Sequence, residues 1–381
     1  MPNIILDFLH EDPGLKLLYP DAQYYSFVQN PQYITSYPNI IPSQEIEKIE
    51  EEAAAAVHPL TFMVIAPLYK CFYIWNGQRN PNFCSVLYDY FNIFVYIVKN
   101  QKFENILFFD THAYQYDPNV IFECYHLQDL SKKITFFKRN YANNVVYKNN
   151  VFPFPYIGSN NTDINAAAAS SSLCVIDILQ QFIKRYKKGN YKLPDRNRLF
   201  YSGKLMVKKD DVYGLHTDCV EKLQKIKNTV GEYLVYREKM PDETAYKVEL
   251  SRFHFCLSLA EECGAPTRKM FDILSSGSLL MCEINELARF MWNFGEDDFL
   301  IESYFLDEMD LFAKLNYLGG NVDKYYTCLH KQHTLVNTYM SKPALRRYIK
   351  KCYEKITITL MIGDNVIENI VLLSENGARR A

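Results

Sequence analysis

The stretch Tyr246–Glu283, YKVELSRFHFCLSLAEECGAPTRKMFDILSSGSLLMCE, decides how this chain is read. Residues 242–252 carry the spacing of a short amphipathic helix, and His254–Ala260 (HFCLSLA) is an apolar run of strand length. Glu261–Pro266 (EECGAP) makes a turn. Thr267–Ser276 then predicts a second helix that closes on Gly277, where a left-handed cap needs a residue without a Cβ. Ser278–Cys282 (SLLMC) is another apolar run. Short runs of this kind, bounded by turn residues, suit parallel strands buried on both faces and so an α/β unit. A helix opened by Pro266 or Thr267 at the carboxyl end of such a strand offers N–H groups to an anion.

The same rhythm extends in both directions. Upstream, Arg198–Leu205 (RLFYSGKL) reads as a strand running into a Gly203-Lys204 turn, Asp211–Val230 as an amphipathic helix and Glu232–Tyr236 as a strand. Downstream come a short strand at Phe299–Ser303 and helices at Asp307–Leu318, Val322–Met340 and Pro343–Tyr353. Ile356–Leu372, with Gly363-Asp364-Asn365 between β-rich runs, predicts a terminal hairpin. An earlier α/β rhythm comprises strands at Leu60–Leu68, Asn105–His112 (NILFFDTH) and Lys132–Lys138 (KKITFFK), with a nearly all-apolar helix at Phe83–Gln101. Phe152–Gly158 (FPFPYIG) is expected to be a loop, and Leu173–Lys188 a helix. Residues 1–44, rich in Tyr, Pro, Asn and Asp, are expected to form an irregular arm, followed by a helix from Ser43 to Val57. The expectation is therefore an α/β protein with two Rossmann-like domains. Residues 1–195 form the first and 196–345 the second, joined near Gly189–Arg196, and 346–381 add a helix and hairpin.

Composition excludes some functions. A chain of 381 residues exceeds one comfortable core, and 48% apolar with 15% aromatic residues marks it as globular. A formal net charge of −2 gives no electrostatic footprint for nucleic acid, so none is expected as a partner. The basic clusters Lys184–Lys188 and Arg346–Lys351 read as helix-end charges. Ten cysteines are scattered without a CxxC pair, as reduced buried thiols are, which predicts a cytoplasmic location. Met1–Leu9 lacks the pattern of a signal peptide, and Val86–Val98 is too short to span a bilayer, so no membrane span is expected.

The order of pieces in the opening stretch resembles the donor-binding segment of GT-B glycosyltransferases, closest to the exostosin-like and capsule-type enzymes. The family's pattern falls here on Phe255, Cys256, Leu257, Gly264, Lys269, Asp272 and Gly277. This chain departs from it in two places. Lys269 stands where the family has arginine, with Arg268 beside it, and Asp272 stands where it has glutamate. The resemblance implies two domains facing a cleft, with the second holding a nucleotide-sugar donor of the UDP or GDP type. It further implies transfer to a hydroxyl on a glycan or glycoconjugate, without a required metal or other cofactor, and a chain end that returns toward the first domain.

Within that frame each residue type has a task. Transfer from a nucleotide sugar builds charge on phosphate oxygens, which Lys204, Arg268 and Lys269 are suited to bind, the lysines as point charges and the arginine bidentately. Gly203 permits close backbone approach. Glu262 and Asp272 are candidates for sugar or ribose hydroxyls. Thr267, Ser276, Gly277 and Ser278 could close round the donor, and Arg237 ends a strand beside it. On the acceptor side, Asp110 and His112 end an apolar strand and are the candidate catalytic base. The same Asp-Thr-His resembles the acidic metal motif of GT-A glycosyltransferases, which would instead need a divalent cation. A catalytically inactive GT-B-like scaffold is the non-enzyme alternative. His330 and His333, three apart on a helix, have no further ligand at zinc spacing and read as ordinary histidines.

Overall fold

The computed structural model describes residues 2–9, 13–27, 43–58, 60–75, 78–112, 115–139, 141, 145–154, 198–203, 217–238, 240–250, 252–259, 268–274, 276–283, 304–335, 342–354, 360–362 and 365–367. The chain is α/β and divides into two compact units. One comprises Met1–Pro155 with Arg346–Val371, the other Tyr156–Leu345 with Leu372–Ala381. Each holds its own parallel, Rossmann-like sheet. The segments 173–188 and 189–196, expected as helix and linker, lie outside the described residues, as does 299–303.

The first unit is built from strands β1 (Ile4–Asp7), β2 (Gln23–Ser26), β3 (Leu60–Ala66), β6 (Phe103–Asp110), β7 (Ile134–Lys138) and β8 (Val151–Pro153), in spatial order β2-β1-β3-β6-β7-β8 and all parallel. A small antiparallel pair, β4 (Ile74–Trp75) and β5 (Gln78–Arg79), follows a 3₁₀ turn at Leu68–Cys71. Helices α1 (Pro13–Leu18), α2 (Ser43–Ala55), α3 (Ser85–Asn100), α4 (Pro118–Cys124) and α5 (Gln128–Ser131) connect the strands. Phenylalanines alternate across the sheet. Phe62 and Phe108 meet Phe94 of α3 on one face, where Phe122 of α4 also packs on Phe136. On the other face Phe109 stacks on Phe137 at 4.6 Å. That second face is covered by α11 (Lys342–Tyr353): its Tyr348 ring lies 6.3 Å from Phe137, and its hydroxyl donates to the Pro153 carbonyl at 2.7 Å. Asp117 caps α4 by accepting from the Asn119 N–H, with Pro118 at the first helical position.

Two expectations are corrected in this unit. The N-terminal segment is not irregular where it is described. IILD has four consecutive buried residues, so it pairs on both sides, with the edge strand β2 and with β3. Its brevity and the surrounding turn residues hid it. The Phe152–Gly158 segment, read as a loop because of its two prolines, begins inside β8. This is an edge strand, where Pro153 needs no ladder partner for its missing N–H.

The second unit holds β9 (Leu199–Ser202), β10 (Leu234–Arg237), β11 (Phe255–Ser258), β12 (Leu279–Glu283) and β13 (Tyr304–Phe305), in order β10-β9-β11-β12-β13 and again all parallel. Helix α6 (Thr217–Val230) leads to β10, α7 (Glu243–Leu250) to β11 and α8 (Arg268–Leu274) to β12. Gly277 follows α8 with a φ of 88°, the left-handed close that the sequence predicts. After β13 come α9 (Glu308–Gly320), capped by Asp307, and α10 (Val322–Leu335). β12 meets β13 only at its last two residues. The fully buried Gln332 of α10 covers the start of β12 instead, accepting from the Leu280 N–H at 3.0 Å and donating to the Ser278 carbonyl at 2.9 Å. At the chain's end β14 (Leu360–Ile362) and β15 (Asn365–Ile367) form the expected antiparallel hairpin. No described helix is long and apolar enough to cross a membrane.

Candidate functional site

In open parallel sheets, ligands gather beyond the carboxyl ends of the strands, where the chain reverses its direction of winding. In the second unit that reversal lies between β9 and β11, because β10 sits on the far side of β9. Gly203 directly follows β9 and is fixed twice by β10. Its N–H donates to the Arg237 carbonyl at 3.0 Å, and its carbonyl accepts from the Tyr236 hydroxyl at 2.9 Å. Lys269, in the first turn of α8 beyond β11, reaches back to the same point. Its Nζ lies 3.3 Å from the Tyr201 hydroxyl and 4.4 Å from that ring's centre. A Cβ at position 203 would fall 2.3 Å from Lys269 Nζ, so the glycine makes room for the ammonium group.

The structure therefore brings Gly203, Lys269 and the backbone of Arg237 together at one strand end. The Arg237 side chain is exposed. Lys204, Glu262 and Thr267 lie outside the described residues, as does the side chain of Arg268. Asp272 is 5% exposed, within the buried run Met270–Leu274. Ser276, Gly277 and Ser278 are at the amino ends of the strands, away from this site. Leu279 pairs with Phe255, the first residue of β11, whereas Lys269 stands beyond its last. Their polar groups serve the fold there: Ser276 donates to the Ile273 carbonyl at 2.8 Å, and Ser278 to the carbonyls of Leu250 and Phe253. The sequence reading missed Tyr201 and Tyr236, stacked with centroids 6.3 Å apart beside Gly203. A Tyr at the third position of both strands, LFYS and LVYR, was the available signal.

In the first unit Asp110 ends β6 directly opposite Lys138, which ends β7. Asp110 is 1% exposed and its acceptor positions are all engaged. Oδ1 accepts from the N–H groups of Leu68 (3.1 Å) and His112 (3.0 Å). Oδ2 accepts from the Tyr116 hydroxyl (2.5 Å) and Lys138 Nζ (2.9 Å). Lys138 is fully buried, donates to the His112 carbonyl at 2.6 Å and lies 4.6 Å from the Tyr116 ring centre. The His112 ring, partly exposed, sits 5.0 Å from that of Tyr69. Burial pushes the imidazole down to about 3, helped by the cations of Lys138 and Lys70 and opposed by Asp110, so it is neutral at ordinary pH. Lys138 was missed, although NILFFD and KITFFK end in opposite charges after the same Phe-Phe pair. Asp7 was missed as well. It is a buried carboxylate at the carboxyl end of β1, where this sheet reverses, and accepts from the Leu9 N–H and, at 2.7 Å, from the Tyr24 hydroxyl.

Among the described residues no three His, Cys, Asp or Glu side chains gather to hold a metal ion, and Cys71, Cys256, Cys282, Cys328 and Cys352 are buried thiols outside any disulfide.

No family model and no curated protein matches this sequence. Among solved structures it is similar to T4 phage BGT in complex with its UDP-glucose substrate, at 10% identity and a TM-score of 0.42, over 92% of this chain and 99% of that one. A second structure of T4 phage beta-glucosyltransferase gives 11% identity and 0.42, over 93% and 100%. The trehalose-6-phosphate phosphatase N-terminal domain of Candida albicans gives 9% identity and 0.46, over 93% and 97%. At identities and scores this low the likenesses assign neither family nor chemistry, which rest on the residues of the chain itself.

Proposed function

We propose that this chain is a glycosyltransferase of the GT-B kind, moving a sugar from a nucleotide-sugar donor to a hydroxyl of a glycan or glycoconjugate. The observation that carries the reading is Lys269 Nζ poised over Gly203 at the winding reversal of the second sheet. A side-chain-free approach beside a cation suits a diphosphate, whose leaving oxygens gain charge as the glycosidic bond breaks. In this reading Lys204 and Arg268 add positive charge from the adjoining segments, Glu262 contacts the donor's hydroxyls, and Thr267 closes round the donor. His112, neutral and partly exposed, accepts from the acceptor hydroxyl, and Asp110 holds it in place.

The same geometry disfavours the metal-dependent alternative. Every acceptor position of Asp110 faces a donor of the chain, and one of those donors is an ammonium group. A divalent cation would have to displace Lys138 from a fully buried position.

Calorimetric titration with UDP and with GDP tests the proposal. One of them should bind, with the affinity reduced about ten- to a hundredfold in Lys269→Ala and unchanged by EDTA. Failure of the wild-type chain to bind any nucleoside diphosphate would overturn it.

A further inference from the structure

One pair of opposite charges holds the backbone of His112 on both sides of its Cα. Its N–H donates to Asp110 and its carbonyl accepts from Lys138, while the two side chains bind each other at 2.9 Å. Asp110 also accepts the Leu68 N–H, fixing the exit of β3 where the 3₁₀ turn carrying Tyr69 begins. The Tyr69 ring packs on the His112 ring, so three neighbouring strand ends are tied through one carboxylate. Lys138 touches no solvent. A lysine taken wholly out of water is costly, and a methionine of similar length would fill the space. The ammonium is therefore retained for what it holds.

We propose that Lys138 is a positioning residue: with Asp110 it clamps the His112 backbone on both sides of the Cα and so sets the imidazole against the acceptor hydroxyl. The inference rests on the transferase reading for its chemical meaning, but the clamp itself can be tested apart from it. Lys138 moves no proton and touches no substrate. Its removal frees the His112 carbonyl, and displacement of a reacting group by about 1 Å costs roughly a hundredfold in rate.

The experiment uses the full chain with Lys138→Met, and with Lys138→Met combined with Asp110→Asn. The double variant leaves no orphaned charge and keeps an amide oxygen for the Leu68 and His112 N–H groups. Three quantities are read: the denaturation midpoint, exchange of the His112 amide hydrogen, and steady-state hydrolysis of UDP-glucose. The expected result is a double variant nearly as stable as wild type whose His112 amide still exchanges at least about tenfold faster than in wild type. Its kcat should stay about a hundredfold down with KM changed less than about twofold. A purely structural lysine predicts that regained stability restores both exchange and kcat, and that outcome would overturn the proposal. If wild type does not hydrolyse UDP-glucose or bind nucleotide, the transferase reading falls. The amide exchange alone then decides the clamp, which is overturned by exchange equal to that of wild type.

Discussion

Lys138 Nζ lies 2.9 Å from Asp110 Oδ2 with both side chains wholly removed from solvent, at the facing last residues of two adjacent parallel strands. Breaking such a pair from one side leaves a buried charge without a counter-charge. Lys138→Met should destabilise the chain by about 3–5 kcal/mol, and Asp110→Asn in the same chain should recover most of that loss. Urea unfolding at neutral pH measures both. Equal stability of wild type and the single variant would show that the pair is not buried as described.

Gly203 gives a second, independent handle on the donor site. In Gly203→Ala the new methyl group meets, among the described residues, the mobile end of Lys269 and the Tyr201 side chain, whose hydroxyl lies at 3.1 Å and nearest ring carbon at 3.4 Å. The lysine can swing away, so stability should change by less than about 1 kcal/mol. Nucleotide affinity should nevertheless fall about tenfold, close to the effect of Lys269→Ala, and the double variant should add little to either. Additive losses would place the two residues at separate sites.

His112 predicts a particular response to acid. Its folded-state value of about 3 lies below the ordinary 6.5 of an exposed imidazole, so between these values the unfolded chain carries a proton that the folded chain lacks. The contribution is fully present above about pH 6.5 and is lost progressively as pH falls toward about 3. On going from pH 7 to pH 5, wild type should lose up to about 2 kcal/mol more stability than His112→Gln does. Identical losses in denaturant unfolding at the two pH values would mean that the imidazole is not held neutral.

The division of labour has its own signature. His112→Ala should leave nucleotide affinity within about twofold of wild type while lowering turnover by roughly 10²–10⁴. A variant that loses nucleotide affinity as fully as Lys269→Ala would move His112 to the donor side.

How much of this was legible without coordinates depends on distance along the chain. Strand β11, helix α8 and the left-handed Gly277 follow from local periodicity and turn chemistry, and the reading of Tyr246–Glu283 found them within a residue or two. β1 escaped because four residues carry no period, and only its pairing with β2 and β3 makes IILD a strand. The expected donor set split for a related reason. Lys269 and Ser276 are seven positions apart, and the helix between them runs from the carboxyl ends of the strands back to their amino ends. Proximity in sequence there meant separation in space. Conversely, Asp110 and Lys138 are 28 positions apart and meet only through strand register. Their matching Phe-Phe-charge endings were visible, but a charge at a strand end is ordinarily solvated.

The return of α11 to the first unit bears on the order in which the protein is made. Tyr348 and Arg346 seal the face over Phe137 and the end of α1 through the Pro153 and Leu18 carbonyls. Roughly 200 residues separate Phe154 from Tyr353, so at ordinary rates of elongation about 10–40 s pass between the two leaving the ribosome. Throughout that interval Phe109 and Phe137 await their cover, while the whole second sheet is being synthesised. The nascent chain thus carries an exposed phenylalanine face, which holdase chaperones would bind and which a ribosome stalled before residue 342 would leave open.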